Sequence, residues 1–238
     1  MPPDSLPAPA SLPPGLRVYA VGDTHGCADQ LDAIHARIAE DAAAAPEPER
    51  LIVYLGDYVD RGPDSRGVIE RVLARPIDAA AVYLRGNHEA MMLDVLDRPT
   101  DEAALALWLR NGGVATLSSY GLSGEDPPET WAGRLPQAHL AFLHGLAHSH
   151  RAGGYLFAHA GIRPGVALDA QDADDLIWIR EPFLCSDADH GVVVVHGHTP
   201  RSAPVIRSNR IGLDTGAVYG GKLTAAVFWA DHMALFQA

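Results

Sequence analysis

Cysteine is scarce. Cys27 and Cys185 are the two thiols in 238 residues, too few for the disulfide framework that staples small secreted domains, so a reducing cytoplasm is the expected compartment. Basic residues are scarce too: 18 against 30 acidic ones, with Lys222 the single lysine, give a formal charge of -12 and a pI near 5.3. Such a chain offers no broad positive field to a nucleic acid duplex or an anionic membrane. Any phosphate it binds must be held by a few local groups. No run of eighteen apolar residues occurs, which leaves no candidate for a spanning helix. The first sixteen residues hold six prolines and no Lys or Arg. They lack the basic start and apolar run of a secretion signal and are expected to form a disordered, Pro-rich tail.

What is present is ordinary globular composition, 47% hydrophobic and 20% charged. A chain of this length can bury roughly 70–75% of its unfolded surface, so residues 17–238 are expected to fold as a single domain. Short apolar runs at Val18–Val21, Leu51–Leu55, Ala79–Leu84, Tyr155–Ala158 and Val192–Val195 read as buried strands. Leu31, Ile34 and Ile38 repeat at helical spacing between the first two, and Val68, Val72 and Leu73 before the third. That alternation is βαβ and predicts a parallel-sheet core. Residues 89–149 are expected to be a helical insertion, with Leu105, Trp108 and Leu109 on one face and Gly112-Gly113 as a stop. Ala42–Arg50 reads as a surface linker. Thr224–Trp229 and Met233–Phe236, joined by Ala230-Asp231-His232, read as a closing hairpin.

The five runs are followed by Gly22-Asp23-Thr24-His25-Gly26, Gly56-Asp57-Tyr58-Val59-Asp60-Arg61-Gly62, Gly86-Asn87-His88-Glu89, His159-Ala160-Gly161 and His196-Gly197-His198-Thr199. In open α/β sheets the carboxyl ends of the strands form the ligand crevice, so these loops are expected to converge. Carboxylate, amide oxygen and imidazole without thiolate suit Mn, Fe or Zn. Six donors exceed what one tetrahedral ion uses, so two ions with a bridging carboxylate are expected, with Asp57 as the bridge. Two ions can activate a shared water and clamp the oxygens of an in-line phosphoryl displacement.

These motifs, in this order, resemble the phosphoprotein phosphatase branch of the calcineurin-like metallophosphoesterases, and within it the bacterial and phage lambda type. Residues 177–181 and 213–219 resemble that type's later segments. The resemblance implies a four-layer α/β/β/α sandwich with two divalent ions, Mn2+ first among them, at the strands' carboxyl ends. It makes Asp23, His25 and Asp57 ligands of one ion, and Asp57, Asn87, His159 and His198 ligands of the other. His88 would be the general acid, with Asp60 orienting it and favouring its charged form. Arg61 and Arg180, with Asn87, would hold the phosphoryl oxygens. His196 adds a second imidazole beside His198, and the match to Gly-His-Thr selects His198.

Plainer readings stand beside these. Arg180 next to Trp178 could form a structural cation–π contact. His139, His144, His148 and His150 do not share a helical face and read as ordinary surface histidines. Cys27 reads as a small buried side chain, and Met91, Met92, Trp108 and Trp131 as packing. For function, the first expectation is a serine/threonine protein phosphatase that uses metal-activated water, acting on a phosphorylated protein. The alternative is a hydrolase of nucleotides such as diadenosine tetraphosphate. Those hydrolases tend to carry GDLVARG and GNHD, where this chain has Asp60 in GDYVDRG and Glu89 in GNHE. A third reading, a non-catalytic metal-bound adaptor, does not account for His88.

Overall fold

A computed structural model describes residues 5–238. Its strands are β1 (Leu6–Pro7), β2 (Leu16–Val21), β3 (Glu49–Tyr54), β4 (Ala80–Tyr83), β5 (Ser149–Ala152), β6 (Tyr155–Ala158), β7 (Val193–His196), β8 (Val205–Ile206), β9 (Arg210–Gly212), β10 (Thr224–Trp229) and β11 (His232–Gln237). They form two sheets, ordered β1-β11-β10-β2-β3-β4 and β5-β6-β7-β9-β8. The parallel core that the βαβ alternation predicts is therefore divided. β2, β3 and β4 run parallel in one sheet, and β6, β7 and β9 in the other, each flanked by antiparallel strands.

Side-chain alternation explains the layers. Successive strand residues face opposite sides, so Tyr19, Val21, Ile52 and Tyr54 join one core with Leu31, Ile34 and Val68. Those last residues come from α1 (Ala28–Ala44) and α2 (Ser65–Ala74). Val18, Ala20, Leu51 and Val53 face the other way and meet Tyr155, Phe157, Val193 and Val195 of the second sheet. The outer face of that sheet, Leu156, Ala158 and Val194, is covered by Leu176 and Phe183. The result is the expected helix, sheet, sheet, helix stacking. Strands buried on both faces also explain why they read as unbroken apolar runs.

Three expectations change. Ala42–Arg50 is not a linker throughout: the alanine run, the best helix-forming composition, extends α1 to Ala44. The helix ends because Pro46 disfavours helical geometry at Ala45, which is extended, and β3 begins at Glu49. The closing hairpin turns in two residues rather than three, because Trp229 pairs with His232, with Ala230 at φ 45°.

The Pro-rich tail is ordered from Ser5 onward, its first four positions lying outside the described residues. Leu6 pairs with Met233, the Ala8 and Leu12 amides donate to Asp231 and Ala230, and the Tyr155 hydroxyl donates to the Ala10 carbonyl at 2.6 Å. Proline is tolerated on a sheet edge, where a missing N–H costs no ladder bond, so this segment covers the edge of β11. Its anchor is Leu12, 6% exposed between the sheets. Leu12→Ala is expected to cost about 2–4 kcal/mol in denaturant unfolding. A loss below about 0.5 kcal/mol would return the segment to a dispensable tail.

Candidate metal centre

Each parallel strand ends in a polar loop, and the loops of both sheets meet at one edge of the sandwich. The turns are tight enough to force unusual backbone. Among the described residues, five of the seven non-glycine positions with positive φ lie here: His25 (41°), Asp57 (52°), Asp60 (72°), Arg61 (70°) and His198 (65°). Left-handed geometry is unfavourable for residues bearing a Cβ, and such strain concentrates at functional sites.

One buried carboxylate holds the strained turn at Asp57. Glu89, in the first turn of α3 (Asn87–Asp97), is fully buried. It accepts backbone N–H groups from Asp57 at 2.9 Å, Tyr58 at 2.7 Å, Val59 at 3.2 Å and Gly86 at 2.9 Å. A single side chain thus fixes both the second and the third loop.

Asp57 occupies the middle. Its Oδ2 lies 3.3 Å from His25 Nε2 and its Oδ1 3.4 Å from His159 Nε2. Asn87 Oδ1 is 3.1 Å from His159 Nε2 and 3.0 Å from His198 Nδ1. His25, Asp57 and His88 form one compact set of ligating atoms, and Asp57, His159 and His198 a second, with Asp57 common to both. The remaining Nδ1 atoms of His25 and His159 sit 2.8 Å from the carbonyls of Val59 and Leu55, which orients each Nε2 inward. Asp23 stands outside both compact sets. Its Oδ2 accepts the His198 N–H at 2.9 Å, while its buried Oδ1 has no partner.

The charges are frustrated in a way that a cation would relieve. Burial pushes Asp57 up, but the His159, His88 and His25 imidazoles hold it well below the usual carboxylate range. Burial and the nearby Asp214 push Asp23 well above that range. Burial works against a charged His159, yet Asp57 and Asp23 raise it to about 10, whereas burial and His159 lower His198 to about 3. Oxygen and nitrogen donors, an orphaned carboxylate oxygen and a doubly facing carboxylate fit divalent ions of the Mn, Fe or Zn kind.

Beside these sets is a second buried network. His88 Nδ1 lies 2.7 Å from Asp60 Oδ2, and its buried Nε2 has no partner. Asp60 also accepts from Thr116 Oγ1 at 2.6 Å and from Trp108 Nε1, which is 3.0 Å from each carboxylate oxygen. Trp108 and Thr116 come from the helical insertion, on α4 (Glu102–Trp108) and α5 (Val114–Ser119). Gly112-Gly113 between them are a kink rather than a stop, and the helix resumes at Val114. A Cβ on Gly112, at φ 107°, would lie 2.7 Å from Arg61 N, and one on Gly113 would lie 2.6 Å from the Trp108 ring. The two glycines are what allow the insertion to close on the Asp60-Arg61 turn.

Arg61 Nη1 is 2.7 Å from His25 Nε2, and the exposed Arg180 donates through Nε to His198 Nε2 at 3.1 Å. Trp178 packs edge-on against His198 rather than beneath Arg180. His196 lies against Phe183, with Nδ1 3.0 Å from the Gly197 carbonyl, and belongs to neither donor set. His139 is not a surface residue: it is 5% exposed, and its Nδ1 is 2.8 Å from the Tyr120 hydroxyl. His144 is exposed, and His148 and His150 are half-buried. Cys27 is half-buried at the start of α1, where burial pushes its thiol up.

Sequence reasoning missed the parts played by Glu89, Trp108, Thr116 and Asp214. Only Glu89 carried a signal, as an acidic residue three positions after the N-cap Gly86. Glu89→Gln would turn an amide NH2 toward backbone donors. It is expected to cost about 2–4 kcal/mol and to weaken manganese binding at least tenfold, as read by thermal unfolding and metal titration. An unchanged melting temperature would show that the loops hold their shape without this carboxylate.

The sequence profile of the calcineurin-like phosphoesterases matches residues 16–227. Serine/threonine-protein phosphatase 1 of Salmonella typhimurium is 34% identical over 219 residues, covering 88% of this chain and 90% of that protein. A symmetrical bis(5'-nucleosyl)-tetraphosphatase of Ralstonia nicotianae is 28% identical, covering 91% and 89%. A crystal structure provisionally described as a diadenosine tetraphosphatase superposes with a TM-score of 0.65 at 26% identity, covering 98% of this chain and 96% of that one. With this profile, these relatives and the two donor sets sharing Asp57, the chain belongs to the calcineurin-like phosphoesterases, hydrolases built around a dinuclear metal site.

Proposed function

We propose that this hydrolase is a serine/threonine protein phosphatase. The observation that carries the reading is the buried Asp60–His88 pair, with His88 Nε2 left unpartnered. A serine or threonine phosphate releases an alkoxide, which needs a proton in the transition state. A nucleoside polyphosphate leaves as an anion already stable near neutral pH. An elaborate proton donor therefore serves the monoester more than the dinucleotide. The relative at 34% identity carries a protein phosphatase name, in keeping with this reading.

In this proposal Asp23, His25 and Asp57 hold one divalent ion and Asp57, Asn87, His159 and His198 the other, manganese being the expected metal. When bound, the ions supply an activated water and neutralise charge on the phosphoryl group. The chain's own residues do the rest. Arg61 and Arg180, each already against a ligand imidazole, clamp the phosphoryl oxygens with planar paired donors, together with the Asn87 amide. His88 delivers a proton from Nε2 to the leaving oxygen. Asp60 holds the imidazole through Nδ1 so that Nε2 is the nitrogen presented, and Trp108 and Thr116 fix Asp60.

One observation favours the second reading, a dinucleoside tetraphosphate hydrolase. Tyr219 is 65% exposed with the Arg61 guanidinium 5.6 Å from its ring, and Trp178 is 41% exposed beside His198. Exposed rings at the rim of a phosphate site can stack nucleobases.

His88→Asn is expected to keep metal bound and to lower kcat on a phosphothreonine peptide by about 10²–10⁴, with a smaller loss on activated aryl phosphates. Trp108→Phe removes one hydrogen bond to the Asp60 carboxylate, so a loss of roughly ten- to hundredfold on the peptide is expected. An equal loss on p-nitrophenyl phosphate would reduce Trp108 to a packing residue. In side-by-side assays with manganese, the peptide should exceed diadenosine tetraphosphate at least tenfold in kcat/KM. The opposite preference, abolished by Tyr219→Ala, would establish the nucleotide reading. Hydrolysis of neither would point to the adaptor.

A further inference from the structure

Behind the loop that carries His198 lies a cavity of about 260 Å³, bounded by the second sheet. His196, Thr199, Arg201, Arg207, Arg210 and Asp214 supply its polar lining. Three guanidinium groups thus face a single carboxylate, in a protein whose overall charge is -12.

The cationic character is built into the interior. Arg210 is 2% exposed and forms no ion pair with any described residue. Its Nη1 donates to the Ser186 carbonyl at 2.9 Å and to Asn209 Oδ1 at 3.1 Å, and its Nη2 to the Leu184 carbonyl, so the guanidinium is fixed in place. Its Nε has no partner. A buried charge without a counter-charge is costly, and neutral carbonyls only partly offset it. His196, 3% exposed, leaves Nε2 unpartnered on the edge that faces Gly212, another lining residue. The Thr199 hydroxyl is also buried and unpartnered. Asp214 is partly occupied already, since its Oδ1 accepts the Gly216 N–H at 3.0 Å. Arg201 and Arg207 are exposed, and Arg207 pairs only with the exposed Asp187, at 3.1 Å.

We infer that this cavity is a second oxyanion site, which takes a phosphoryl group separately from the metal centre. A phosphoryl oxyanion supplies the counter-charge that Arg210 lacks and acceptors for the unpartnered Thr199 hydroxyl and Arg210 Nε. The bidentate fork of Arg201 or Arg207 suits its remaining oxygens. His196 precedes His198 by two residues and Thr199 follows it directly, so the site shares a loop with the metal centre. Two sources have this chemistry: free phosphate, the product of the proposed reaction, and the phosphate of a mononucleotide.

The test is equilibrium dialysis of labelled inorganic phosphate against the manganese-loaded full chain. Two phosphates per chain are expected, one at the metal centre and one in the cavity. Arg201→Ala with Arg207→Ala, both exposed positions, should remove one of the two and leave turnover of p-nitrophenyl phosphate unchanged. AMP competing only for the phosphate that depends on these arginines would identify a nucleotide as the source, and no competition would identify free phosphate. A single phosphate per chain, lost in Asp57→Asn and indifferent to the arginine pair, would overturn the inference while leaving the metal centre intact.

Discussion

The arrangement of the centre depends on one buried carboxylate facing two ways. Asp57 is 2% exposed, and neither oxygen is free to turn to solvent. One faces His25, the other His159, so two groups of donors contributed by both sheets meet on a single side chain. Burying a carboxylate this completely is costly unless charge surrounds it, and three imidazoles answer that cost in part. Much of the surrounding architecture serves to keep this residue in an unfavourable backbone conformation, above all the four amides gathered on Glu89.

A second carboxylate, Asp60, shows how the helical insertion takes part. The insertion does more than border the site: it contributes Trp108 and Thr116 to Asp60, and it can do so because two adjacent glycines kink it. Packing of the insertion is thereby coupled to the orientation of His88. The clustering of imidazoles and guanidinium groups also explains how an acidic protein can handle phosphate, through positive charge held locally rather than as a field over the surface.

Much of the centre could be read from the sequence because its chemistry is local. Glycine-flanked Asp, Asn and His residues directly after apolar runs announce loops at strand ends, and the sandwich gathers those loops. The four layers follow from alternation in strands whose two faces are both apolar. What could not be read depends on contacts distant in the chain. Trp108 lies 48 residues from Asp60, and nothing in its neighbourhood distinguishes it from a packing residue. The alanine run before Pro46 continues a helix because Ala42 packs in the core, and the Pro-rich segment from Ser5 onward is ordered because β11 offers it an edge. Composition suggested disorder and linker there, and tertiary packing overrode it. Gly112-Gly113 mislead in the same way, since a glycine pair signals a break unless something must pass close by.

Asp57 is common to two sets of donor atoms, and a carboxylate shared by two metal sites is one whose loss empties both. The sharing is tested by the metal content, by plasma mass spectrometry, of manganese-reconstituted wild-type protein and of Asp57→Asn, with thermal unfolding to confirm that the variant folds. Two ions per chain are expected in the wild type, with both lost in the variant. A folded Asp57→Asn protein that keeps one full ion would contradict the sharing, because the carboxylate would then serve only one site.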